Sequence, residues 1–156
     1  MSKWNSPTEW QRLCDGSGCP ICARGQPLNN IAQLDSSWLT MSEAAPMPGY
    51  VCLVSRVHAV VLHDLTSSQA ESFMRDAHKV SSALSAVTGA VKLNYEIHGN
   101  TLPHLHMHYF PRYVGDPFEG HAIEPARVSQ RVYSAGQFSK LRDRLLLELG
   151  ASAVRR

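Results

Sequence analysis

The most regular pattern of apolar positions lies in the middle of the chain. Phe73, Ala77, Val80, Leu84 and Val87 recur at steps of four, three, four and three. That spacing lines them up as one stripe of an amphipathic helix. Thr66-Ser67-Ser68-Gln69 ahead of it has the Thr-x-x-Gln form of a capping box, and Gly89 is a stop signal behind it. A second helix is expected over 137–149, where Phe138, Leu141, Leu145 and Leu149 share helical spacing and Gly150 follows. A short first helix should follow Ser6-Pro7-Thr8-Glu9, which places a Pro at the first helical position and a Glu three residues after the cap. It would carry Trp10 and Leu13 and end in the turn Asp15-Gly16-Ser17-Gly18, after which Cys19-Pro20-Ile21-Cys22 leads into a polar loop through Asn30.

Other segments have the period of strands. Residues 91–97 (VKLNYEI) alternate apolar and polar side chains, as a half-buried strand does. Residues 50–54 (YVCLV) form a short apolar run suited to a buried strand. Residues 31–41 read as a strand broken near Asp35-Ser36-Ser37, or as two short strands, followed by a Pro-rich turn over 43–49. His98-Gly99-Asn100 makes a turn into a last strand over 105–110, which Pro111-Arg112 should end because Pro donates no ladder hydrogen bond. The connection between these two strands is too short for a parallel crossover, so the pairing is antiparallel. Residues 113–131 look irregular, and no repeat or linker interrupts the pattern. The expected class is α+β, one domain over 1–156.

Composition narrows the function classes. Hydrophobic residues make up 44% of the 156, enough for a core, which excludes disorder as the main description. Fifteen Lys and Arg against thirteen Asp and Glu leave a formal charge of +2. Nothing in that balance predicts a nucleic-acid polymer or a membrane surface as partner. No apolar stretch approaches the roughly 20 residues of a membrane span. Residues 1–10 lack the apolar centre of a signal peptide. The chain is therefore expected in the reducing cytoplasm, with Cys14, Cys19, Cys22 and Cys52 as thiols or metal ligands.

Histidine is the unusual component, with eight copies, three of them at alternate positions in His104-Leu105-His106-Met107-His108-Tyr109-Phe110. On a strand the three imidazoles share one face, and Leu105, Met107 and Tyr109 share the other. Burying three imidazoles without partners is costly, so a polar site is implied. The residues themselves leave three readings open: an exposed polar face, a metal site, or phosphoryl chemistry in which one imidazole attacks phosphorus.

The His-φ-His-φ-His-φ-φ run, φ being apolar, resembles the signature of the histidine triad (HIT) superfamily of nucleotide hydrolases and transferases. The likeness extends to Asn94, to His98-Gly99-Asn100-Thr101, to Pro111-Arg112-Tyr113, to the segment GYVCLVSRVH over 49–58, and to Cys19-Pro20-Ile21-Cys22, which is similar to the Cys pair of bacterial, zinc-containing members. It spans about 19–113, leaving 114–156 as a C-terminal extension with a helix. The resemblance implies a HIT-like fold, an antiparallel sheet of about five strands with two main helices, in a homodimer. It implies a nucleotide substrate, an adenine nucleotide for preference, as a dinucleoside polyphosphate or a nucleoside phosphoramidate. His106 would be the nucleophile at the α-phosphorus, and His108 would bond a phosphate oxygen or assist the leaving group. Thr101, Asn94, His98, Gly99 and Asn100 would serve the phosphates. Cys19, Cys22, His58 and His104 would hold a structural zinc. Cys14 is read as a buried thiol closing the first helix, and His63, His78 and His121 as incidental.

Three positions depart from the family pattern. Tyr50 stands where many members have His, Ser55 where they have Pro, and Ser42, with Glu43 beside it, where they have a ribose-contacting Asp. These departures motivate an alternative, a nucleotide-binding regulatory module with little catalysis. A further alternative is a zinc hydrolase using His104, His106 and another ligand, with water at an open metal position.

Overall fold

The computed structural model describes residues 3–124 and 132–150. Five strands form one antiparallel sheet in the order β1-β2-β3-β5-β4. They are β1 Asn30–Gln33, β2 Ser37–Thr40, β3 Val51–Ser55, β4 Lys92–Glu96 and β5 His106–Arg112. Four α-helices stand among the described residues: α1 Pro7–Cys14, α2 Pro20–Arg24, α3 Ser67–Thr88 and α4 Gln137–Glu148. This is the expected α+β class, and α3 and α4 are the two helices that the apolar spacing predicts. No helix among the described residues is long and apolar enough to cross a membrane.

The capping box of α3 forms in both directions. Gln69 N–H donates to Thr66 Oγ1, and Thr66 N–H donates to Gln69 Oε1. The break expected near Asp35 separates β1 from β2, and α3 supplies the reason for the turn there. Asp76 is buried and accepts from Ser36 N–H at 2.9 Å, the Ser36 hydroxyl at 2.9 Å and the Ser37 hydroxyl at 2.6 Å. Three donors satisfy a carboxylate that would otherwise be expensive to bury.

Two expectations are corrected. The sequence predicts a polar loop from Cys22 through Asn30, but Pro20 at the first helical position starts the one-turn helix α2, Pro20–Arg24, closed by Gly25 in the left-handed region. The last strand was expected to stop at Pro111, yet β5 continues to Arg112, with Pro111 opposite Leu93. Pairing with β3 ends at Val51 opposite Tyr109, so beyond that point β5 has a strand neighbour on the β4 side alone. A Pro there breaks no bond to β3.

The two sheet faces differ. On one, Val51, Leu53, Leu93, Met107 and Tyr109 pack against the α3 stripe Phe73, Ala77, Val80, Leu84 and Val87, and Phe138, Leu145 and Leu149 of the α4 segment join them. Each large side chain buried this way contributes about 1.5–3 kcal/mol. The opposite face, carrying Cys52, Val54, His106, His108 and Phe110, is closed at its two ends. Cys19 and Ile21 cover Cys52 and Val54 at one end, with Trp38 and Leu102 beside them. Met47, Phe118 and Ile123 cover Phe110 at the other, with Tyr50 and Tyr113. His106 and His108 lie half-buried between these two clusters.

Candidate active site

His106 and His108 project from β5 on this second face, with ring centroids 4.7 Å apart and nearly perpendicular planes. Their orientations are set differently. Nδ1–H of His106 donates to the carbonyl oxygen of His104 at 2.6 Å. That bond assigns the proton to Nδ1 and leaves Nε2 with a free lone pair. His108 Nδ1 instead meets the hydroxyl of Tyr50 at 2.7 Å. Burial, followed by the neighbouring His106 and His98, lowers the pKa of His108 to about 4. Its ring is therefore neutral at pH 7. Burial also raises the Tyr50 phenol, with Cys52 and Glu96 adding to the effect, so it keeps its proton.

Cys52 lies directly across from His108 in the β3–β5 register, and its sulfur falls within 4.8 Å of the ligand atoms of His106 and His108. Burial pushes its thiol up to about 12, which keeps it protonated and unreactive. His98 bonds Glu96 at 2.8 Å and stands 5.8 Å from the His108 ring.

A second cluster adjoins the first. His104 precedes β5, and the ligand atoms of Cys19, Cys22, His58 and His104 lie within 4.8 Å of one another. Tetrahedral zinc places two nitrogen ligands about 3.3 Å apart and a sulfur and a nitrogen about 3.6 Å apart. Here Nδ1 of His58 and Nδ1 of His104 are 3.2 Å apart. Cys19 Sγ is 3.4 Å and Cys22 Sγ 3.8 Å from His104 Nδ1, and Cys22 Sγ is 3.3 Å from His58 Nδ1. Both outer nitrogens are engaged: His104 Nε2–H donates to Ser55 O at 2.8 Å and His58 Nε2–H to Cys14 O at 2.9 Å. Those bonds leave both Nδ1 lone pairs facing the two sulfurs, an arrangement that suits a metal. All four cysteines are free thiols.

The remaining expected site residues lie around this face without converging on one point. Asn94 is on β4 opposite Phe110. His98, Asn100 and Thr101 are exposed in the β4–β5 connection, and Gly99 has φ +82°, a value that favours glycine. Cys14 is half-buried at the end of α1, and its carbonyl rather than its thiol supports His58. The reach of Tyr50 to His108 and the position of Cys52 depend on how β3 and β5 pair, which no local pattern reveals. Their common period of two, Tyr50-x-Cys52-x-Val54 on a strand beside the triad, is the signal that could have found them.

The HIT domain family matches residues 24–115. Among solved structures, a histidine triad protein of Bradyrhizobium japonicum is 29% identical, covering 77% of this chain and 89% of that one, with a TM-score of 0.69. A zinc-bound histidine triad family protein of Mycobacterium smegmatis is 18% identical, covering 86% and 94%, with a TM-score of 0.62. The diadenosine triphosphate hydrolase of Plasmodium falciparum is 12% identical, covering 80% and 76%, with a TM-score of 0.55. No curated protein matches the chain.

Proposed function

The chain belongs to the histidine triad family, and on that premise we propose that it is a nucleotide hydrolase or transferase acting at an α-phosphate through a covalent nucleotidyl-His106 intermediate. The observation that carries this reading is the bond from His106 Nδ1–H to the His104 carbonyl. It aims the lone pair of Nε2 away from the backbone and fixes the ring. As Nε2 bonds to phosphorus, positive charge develops on the ring, and a carbonyl already on Nδ1–H stabilises it without rearrangement. A neutral imidazole is a competent nucleophile near pH 7, and its phosphoramidate is labile enough for water to release.

In this reading Asn94, His98, Gly99, Asn100 and Thr101 line the phosphate side, and His108 faces a phosphate oxygen or the leaving group. The substrate is a dinucleoside polyphosphate or a nucleoside phosphoramidate, with adenine as the preferred base, hydrolysed in the cytoplasm by a homodimer. Cys19, Cys22, His58 and His104 hold a structural zinc, which ties the α1–α2 segment to the sheet. The donor set supports a closed tetrahedral site. The zinc-hydrolase alternative is disfavoured, because His104 Nδ1 faces the cysteines whereas His106 Nδ1 faces a backbone oxygen.

The test is to quench turnover of diadenosine polyphosphate and of an adenosine phosphoramidate, then map covalently attached nucleotide by mass spectrometry. Adenylate on His106 is expected, with none in His106→Ala. Turnover unchanged in that variant would overturn the mechanism. Nucleotide binding without any turnover would return the chain to the binding-module alternative.

A further inference from the structure

We propose that Tyr50 is a positioning residue that locks His108 as a neutral Nε2–H tautomer, making it a hydrogen-bond donor rather than a proton source and restricting the enzyme to phosphoanhydride substrates. The inference rests on the hydrolase reading and names its substrate class.

The geometry comes first. The Tyr50 hydroxyl lies 2.7 Å from His108 Nδ1, and the two rings are nearly parallel, 20° apart. A phenol is a good donor and a poor acceptor, so O–H donates to Nδ1 and the ring proton resides on Nε2. Tyr50 is itself held against Phe110, centroids 5.1 Å apart, within the cluster of Met47, Phe118 and Ile123. Burial keeps the phenol protonated and the imidazole neutral, which agrees with this assignment.

The chemistry follows from the proton count. In the first step His106 Nε2 bonds to the α-phosphorus, and the bond from phosphorus to the leaving atom breaks with its electron pair on that atom. In a phosphoanhydride the leaving atom is a phosphate oxygen, whose conjugate acid has a pKa of about 6. It departs as an anion, and a donated hydrogen bond from His108 Nε2–H suffices. In a phosphoramidate the leaving atom is an amine nitrogen, which needs a proton. Neutral His108 could supply one only by becoming an imidazolate or by drawing the proton of Tyr50, and burial opposes both. In the second step a water oxygen bonds to phosphorus, the N–P bond breaks with its pair returning to Nε2, and the water's proton passes to solvent.

The experiment uses the zinc-loaded full chain labelled with ¹⁵N-histidine, read by long-range ¹H–¹⁵N imidazole correlations at pH 7. His108 is identified by its loss in His108→Gln. The wild type should show His108 with the proton on Nε2, and Tyr50→Phe should shift it toward Nδ1. Wild-type kcat/KM should be at least about tenfold higher for diadenosine triphosphate than for an adenosine alkyl phosphoramidate. Tyr50→Phe should lower kcat on the former roughly 10- to 100-fold, with KM within about threefold. A proton on Nδ1 in the wild type, an unchanged tautomer in Tyr50→Phe, or faster phosphoramidate cleavage overturns the proposal. If Tyr50→Phe does not fold, the wild-type tautomer and the substrate ratio still decide. If the tautomer is as stated but neither substrate is cleaved, the hydrolase reading and the substrate class fail while the Tyr50–His108 coupling stands.

Discussion

His104 and His106 are joined through backbone rather than through their rings, by the 2.6 Å bond from His106 Nδ1–H to the His104 carbonyl. The same His104 directs its own Nδ1 at Cys19 and Cys22. One residue therefore belongs to the cysteine–histidine cluster and also sets the tautomer of the proposed nucleophile. Whatever fixes the His104 backbone also fixes the direction of the His106 lone pair.

That coupling yields a first prediction. Cys22 is exposed, so Cys22→Ser removes one sulfur without opening a hole in the core. Zinc affinity should fall by at least about 100-fold, more than the loss of a supporting group around a metal costs. The variant's kcat should fall as well, because Cys22 meets His104 and His58 in the cluster that holds the His104 backbone. Metal analysis alongside kinetics checks both, and a zinc-free variant with wild-type kcat would refute the coupling.

Metal removal should also lower stability. A site built from an N-terminal pair, Cys19 and Cys22, and two distant histidines exists in the folded chain alone, so binding energy becomes folding energy. Stripping zinc should reduce the melting temperature by about 10 °C or more, since each kcal/mol is worth roughly 2–4 °C at this size. Calorimetry before and after chelation, with recovery on adding zinc, is the measurement. Chelation that leaves the transition in place would argue against a structural metal.

Stability should depend on pH through His108. Its folded pKa of about 4 lies below the ordinary histidine value of about 6.5, so folding favours the neutral ring. The contribution is fully present above pH 6.5 and is lost as pH falls toward 4. The ring is only half-buried, so solvent screening reduces the effect to about 1–2 kcal/mol. Urea unfolding at pH 7.5 and pH 4.5 should show the wild type losing that much more than His108→Gln. Equal losses in the two proteins would mean that His108 is not the group responsible.

How much of this could be read from the sequence follows from the range of each interaction. The α3 stripe and its Thr66–Gln69 cap were legible because their determinants lie within a few residues of one another. The shared face of His106 and His108 was legible because a strand's period of two is local, whereas His104 precedes β5 and joins the cysteine cluster. Helix α2 was not, because a one-turn helix has no periodicity to display. Asp76 was overlooked because its partners Ser36 and Ser37 are some 40 residues away. The stop at Pro111 was misplaced because whether a Pro breaks a ladder depends on where the neighbouring strand ends. Tyr50 departs from a family pattern in the sequence itself, but its bond to His108 spans 58 residues and depends on the β3–β5 register.

The turn over 113–121 after β5 is tied down by the buried ion pair of Arg112 and Asp116. Arg112 Nε and Nη2 donate to the two Asp116 oxygens at 2.8 and 2.9 Å, and its remaining donors reach the carbonyls of Phe118 and His121. The guanidinium holds Asp116 at a pKa of about 2, so the pair is ionised throughout the working range. Removing one partner leaves a charge uncompensated, and Asp116→Asn should cost about 2–4 kcal/mol. Arg112→Met with Asp116→Asn should cost less than the sum of the two single changes, because neither charge is then stranded. Additive losses in a double-mutant cycle would show that the two side chains act independently.

Gly49 sets the start of β3 and thereby the position of Tyr50. Its φ of +81° favours glycine, and a Cβ there would lie 2.8 Å from Thr88 Cγ2 and 3.1 Å from Pro111 Cγ. Its N–H also donates to the Tyr133 hydroxyl at 2.8 Å. Gly49→Ala combines backbone strain with a steric clash and should destabilise the protein by about 2–3 kcal/mol. Adding Thr88→Ser removes the Cγ2 methyl but keeps a hydroxyl able to reach Leu84 O, now bonded at 2.7 Å. The double variant should regain the part of the loss due to the Thr88 methyl but not the strain or the tight contact with Pro111, up to about half in all. Denaturant unfolding of both variants separates the two contributions. Full recovery would mean that the left-handed backbone costs nothing here, and no recovery would mean that Thr88 is not the obstacle. Because Tyr50 follows directly, the single variant should also displace the phenol from His108, and its kcat should fall by more than that of Thr88→Ser alone.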